Sequence, residues 1–183
     1  MKIGSKSNLE IAGSLEINKQ FHAKTVLKHH YQVECYDKSG KRKWTEEFDN
    51  LVVTAGLNKY LDATLKTGLS SPAWYVGLKD TGTVVPGDTM ASHGDWAELD
   101  VYTGNRKGFT PGTISGGSVN NSGSKAIFTI DTQDTVYGAF LCNAATGSGV
   151  EVTLLGAGDF STPRVVEIDD TLNITITASI AAD

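Results

Sequence analysis

The sequence predicts a mostly-β protein: an antiparallel β-sandwich with one short covering helix and an extended N-terminal arm. Three observations carry this expectation. Eight or more short runs alternate apolar and polar residues, against one run with helical spacing. The 20 glycines fall mainly in short clusters between those runs, where tight turns are needed. Residues 1–30 follow neither pattern, and their charge opposes that of the rest.

In residues 1–30 the apolar side chains are scattered without a sustained period, although Leu15-Glu16-Ile17-Asn18 alternates as a short strand would. No compact unit closes here, so an arm is expected. Extended, it would reach up to about 100 Å. It carries five lysines against two glutamates, a net +3, which leaves −8 for the remainder of a chain whose total is −5. An acidic body would repel phosphates, so general nucleic-acid binding is excluded. The arm suits an acidic protein neighbour instead. Its candidate anchors are Leu9, Ile11, Leu15, Ile17 and Phe21, and its candidate charges are Lys19, Lys24 and Lys28.

The body is expected over residues 31–183 as one sandwich domain. Tyr31, Val33 and Cys35 fall on one face of a first strand, Lys38-Ser39-Gly40-Lys41 forms a turn, and Lys43–Phe48 returns, extended by Asn50–Val53. Thr54 is placed to cap a helix over 55–66, in which Leu57, Tyr60, Leu61 and Leu65 form an apolar stripe. Ala73–Leu78 follows as a strand with Trp74, Val76 and Leu78 on one face. A long polar segment, 79–96, contains Asp88 as the cap of a single turn. Ala97–Tyr102 is a further strand with Leu99 and Val101 inward. Residues 103–124, rich in Gly, Ser, Asn and Thr, form a long loop with a short strand near Ile114. The closing strands are 124–130, 136–142, 150–155, 164–168 and 172–180, separated by turns at 131–134, 144–149, 156–159 and 169–170.

Site chemistry is sparse. His29 and His30 are adjacent and point to opposite faces of a strand, so they suit solvated positions at the arm–body junction better than a shared metal. His93 and Asp95 share a loop, yet no G-x-S-x-G elbow accompanies them. The 117–125 segment misses phosphate-loop spacing. Asp131, Asp134, Asp169 and Asp170 sit at turns and fit backbone-bonding roles better than a calcium loop. Trp44, Trp74 and Trp96 are too dispersed for a sugar platform. Neither a catalytic, a cofactor-binding nor a metal site is expected. Cys35 and Cys142 form no CxxC or Cys/His cluster; a disulfide between them stays open, but two buried thiols suit a reducing cytoplasm better. No stretch approaches the ~20 apolar residues of a membrane span, so no membrane partner is expected.

Five phrases occur in one order: Asn50-Leu51-Val52-Val53-Thr54-Ala55-Gly56-Leu57-Asn58, Trp74-Tyr75-Val76-Gly77-Leu78, Gly87–His93, Tyr137–Leu141, and Pro163–Val166 running on through Asp170–Thr175. In this order they resemble a family of tailed-bacteriophage virion structural proteins, over about residues 31–180. The resemblance implies a non-enzymatic particle component assembled in the host cytoplasm, and it brings no catalytic residues. The leading expectation is a head decoration (cement) protein. It would bind the major capsid protein and bridge neighbouring subunits, with a homo-oligomer as the assembled form. The alternative is a tail, collar or fibre-attachment protein presenting loops 79–96 and 103–124.

Overall fold

A computed structural model of the chain describes residues 25–66 and 71–182. In chain order, β1 (Thr25–Tyr36), β2 (Arg42–Asp49) and β3 (Leu51–Val52) precede the helix α1 (Thr54–Leu65). Then come β4 (Trp74–Lys79), β5 (Glu98–Leu99), β6 (Lys107–Phe109) and β7 (Ser118–Asn120). The last four are β8 (Ala126–Thr129), β9 (Asp134–Cys142), β10 (Leu154–Val166) and β11 (Thr171–Ala182). The chain is mostly β, with two antiparallel sheets, as the alternation predicts.

One sheet runs β2-β1-β11, with β7 and β8 pairing successive parts of β11. The other runs β3-β10-β9-β4-β5, with β6 also on β4. The first and last strands form the longest ladder, from Thr25 opposite Ala182 to Tyr36 opposite Thr171. Its register sets Tyr31, Val33 and Cys35 against Ile176, Ile174 and Leu172, all six fully buried. These side chains meet Val76, Leu78, Val136, Leu141 and Leu155 of the second sheet in the main core. Burial of each large side chain there contributes about 1.5–3 kcal/mol.

Over much of β4 and β9 the second sheet is buried on both faces, which explains the near-continuous apolar run of β9. Its outer face carries a second cluster of Val53, Phe140, Cys142 and Leu154 under Met90 and Trp96. Those last two belong to the segment read as a long polar loop. Met90 is 1% exposed and Trp96 4%, so this segment is pinned down as part of a third layer.

Several local expectations are corrected. β1 starts at Thr25 rather than Tyr31, so residues 25–30 of the expected arm belong to the body's longest ladder. Asn50–Val53 does not extend the β1–β2 hairpin but crosses to β10. The expected turn at 156–159 lies inside β10, which merges two expected strands around register irregularities. Glycine is needed there for close approach: a Cβ on Gly156 would lie 2.5 Å from the Leu51 carbonyl oxygen. In the 103–124 region the strands are β6 and β7, not the stretch around Ile114.

The helix keeps its expected extent, but not its cap or its packing face. Val53 holds the N-cap position, without a side-chain cap hydrogen bond. The buried helical residue is Gly56, whose absent Cβ would lie 2.1 Å from the Leu155 carbonyl oxygen. Successive residues turn by 100°, so a helix seated on Gly56 directs Tyr60 inward and swings Leu57, Leu61 and Leu65 toward solvent. These three are 44%, 56% and 77% exposed. Among the described residues no helix is long and apolar enough to cross a membrane.

Candidate interaction surface

The outward turn of α1 creates an apolar surface feature. Leu57 and Leu61 stand beside Leu27 of β1 and Ile180 of β11, and with Thr25 and Tyr60 they wall a hollow of ≈ 430 Å³. Tyr60 and Ile180 continue into a second hollow of ≈ 230 Å³ with Ile114, Val119 and Ala178. A third, of ≈ 250 Å³, lies between Tyr60, Trp74, Phe109 and Leu141. Tyr60 borders all three, so they form one groove along the helix and across the ends of the first sheet. Thr25 to Lys28 pair with β11 on one side, whereas β2 reaches only to His30 on the other.

A polar cluster holds Tyr60 at the groove floor. His29 Nε2 lies 2.8 Å from the Tyr60 hydroxyl, and Asn50 Nδ2 lies 3.2 Å from His29 Nδ1. His29 is fully buried, and desolvation drives its pKa down to about 4, against a smaller opposing effect of the Asn50 hydrogen bond. The imidazole is therefore neutral at pH 7 and serves as a hydrogen-bonding spacer between strand and helix. This corrects the expectation that both histidines are solvated. His30 alone is exposed, with Nδ1 2.9 Å from Asp49.

Other buried charges are matched within the fold. Lys79, fully buried, donates to Asp159 at 2.6 Å and to the Asp80 carbonyl at 2.9 Å. Arg106 donates to both Glu98 oxygens, at 2.8 and 2.6 Å. Glu46 accepts from the Ser161 hydroxyl at 2.7 Å and from Arg164 Nε at 2.6 Å. Burial alone would raise the Glu46 pKa, but these hydrogen bonds outweigh it and hold the carboxyl below its ordinary value. Such pairs tie loops and strand ends to the sheets.

The residues singled out in sequence are placed as follows. Leu9, Ile11, Leu15, Ile17, Lys19, Phe21 and Lys24 lie outside the described residues. Lys28 is exposed on β1, opposite Ser179. His93 Nδ1 is 2.7 Å from the Trp96 carbonyl oxygen, and its ring stacks on Trp96 at 4.1 Å, a packing role for the second cluster. Asp88 accepts from Trp96 Nε1 and the Val85 amide, both at 3.0 Å, so it anchors that segment and does not merely cap a turn. Asp170 accepts from Lys43 at 2.7 Å and from the Glu167 amide at 2.9 Å, while Asp169 takes a left-handed φ of 72°. Cys35 and Cys142 are buried free thiols. Among the described residues, no group of three or more His, Cys, Asp or Glu side chains is placed to hold a metal.

The groove itself is not legible in the sequence, where the stripe Leu57, Tyr60, Leu61, Leu65 reads wholly as packing. The available signal was Gly56, a residue that costs helix stability unless something must approach closely. Among the described residues, fold and surface together define a two-sheet β-sandwich bearing one helix whose apolar flank is left open. No protein-family model matches the chain, and no curated protein matches it.

Proposed function

We propose that this chain is a structural subunit of a tailed-phage virion, acting as a head decoration (cement) protein. In this reading the body sits on the capsid surface and the N-terminal segment runs to neighbouring subunits, with the major capsid protein as the main partner. One observation carries the reading. Among the described residues, an apolar surface of Leu27, Leu57, Leu61 and Ile180 is left open beside Thr25, where the basic N-terminal segment joins the body. Contiguous apolar surface of this kind marks a place to be covered by another protein surface. The phrase order across 50–175 supplies the virion class.

The subunit needs no cofactor and performs no turnover in this reading. His93 and Asp170 serve packing and turn geometry. The test is copy number: purified particles resolved on a gel and stained by mass should contain hundreds of copies. A count of a few to some dozens would move the chain to the tail or collar. One observation favours that second reading, since residues 110–117 are all exposed and include Ile114 at 74%. The 79–96 segment is anchored by Met90 and Trp96, while Val85, Ala91 and Ser92 remain exposed on it.

A further inference from the structure

We propose that the groove along α1 is the resting site of the chain's own N-terminal segment, with residues 15–21 laid against Leu57, Tyr60, Leu61 and Ile180. The inference goes beyond the virion role, because it concerns the free subunit before any particle is present. Three observations point to this occupant. The described chain begins at Thr25, which itself lines the groove. Phe21 is four residues earlier and Leu15 ten, so they can lie up to about 14 and 34 Å away. A reversal at residues 22–24 therefore suffices to bring them in.

The second observation is pattern. Laid out as a strand, Leu15, Ile17, Lys19 and Phe21 would fall on one side, three of the four apolar. On β1 the odd-numbered residues from His29 to Cys35 face inward, and Thr25 and Leu27 of the same parity line the groove. The third is the open edge. Thr25 to Lys28 lack a β2 partner among the described residues, so a returning strand has backbone beside it to pair with. Tethering favours this occupant over one from solution, because a short linker holds the segment at an effective concentration in the millimolar range. A segment stored this way is kept from unspecific association until a partner displaces it.

The test is hydrogen–deuterium exchange on the full chain in dilute solution, with no particle present. Amides of residues 15–21 should exchange about tenfold or more slowly than in the isolated 1–24 peptide. In the Leu57→Asp/Leu61→Asp chain that protection should vanish, while the β1–β11 ladder stays protected. Should that variant unfold, Ile17→Ser/Phe21→Ser leaves the body untouched and must abolish the protection instead. Peptide-like exchange in the wild-type chain would overturn the proposal, as would protection indifferent to both variants. Protection that appears only as concentration rises, together with a dimer mass in light scattering, assigns the groove to a second copy's segment and also overturns it. None of these outcomes alters the copy number on a particle, so the two readings fail separately.

Discussion

His29 is the residue whose chemistry depends most on its place in the fold. Its folded pKa of about 4 lies below the ordinary 6.5, so the unfolded chain binds the extra proton in between. Its contribution to stability is complete above about pH 6.5 and is lost as pH falls toward 4. From pH 7 to 4.5 the loss should be about 2–3 kcal/mol, from the free-energy equivalent of a pKa shift. Urea denaturation across that range should show this decline, and His29→Gln should flatten it. Glu46 adds a loss of the same sign only lower, because its folded pKa lies below the ordinary carboxylate value. A wild-type profile that is level between pH 6.5 and 4.5 would show that His29 is accessible to protons in the fold. Adjacency in sequence already implied opposite faces for His29 and His30. That the inward one is buried under Tyr60 was not legible, because the helix reaches it from a residue 31 positions away.

At the scale of elements, α1 separates propensity from packing. Its apolar stripe is enough to announce a helix, and the helix forms where that stripe lies. Gly56, not the stripe, chooses the contact face. In an exposed helix interior Gly→Ala stabilises by about 1 kcal/mol. Here Gly56→Ala should destabilise by about 1–3 kcal/mol, because the added methyl meets the β10 backbone, which can give way only by shifting the helix. Leu65→Ala, at a 77% exposed position, should stay within about 0.5 kcal/mol of wild type. Denaturation midpoints of the two variants, measured side by side, check both expectations. The same division applies to β10, where glycines that resemble turn signals are instead the price of a close sheet-to-chain approach.

For the whole molecule, the boundary between segment and body decides how the attachment mechanism is tested. A chain starting at Tyr31 lacks His29 and the top of the β1–β11 ladder, and should show a clearly lowered thermal transition. A chain starting at Thr25 keeps the ladder, both clusters and the His29–Asn50–Tyr60 contacts, and should fold. On the proposed virion role, this second truncation should nevertheless fail to bind particles that lack the protein. Co-sedimentation with such particles, at low and at raised salt, measures this. Salt should weaken full-length binding only in part, because apolar anchors do not respond to screening. Equal binding by the chain starting at Thr25 would remove the N-terminal segment from the mechanism.

The two-sheet class, the first hairpin with its left-handed Gly40, the helix α1 and the inward faces of β1 and β11 followed from the sequence itself. Each depends on periodicity or turn chemistry within a dozen residues, which a linear pattern records directly. Tertiary structure alone decided that β3 leaves its hairpin for the other sheet, that Met90 and Trp96 build a third layer, and that Leu57 and Leu61 turn away from the sheets. Those outcomes depend on which surfaces meet across long sequence separations. Gly56 on Leu155 and Thr25 opposite Ala182 are contacts that no local pattern encodes.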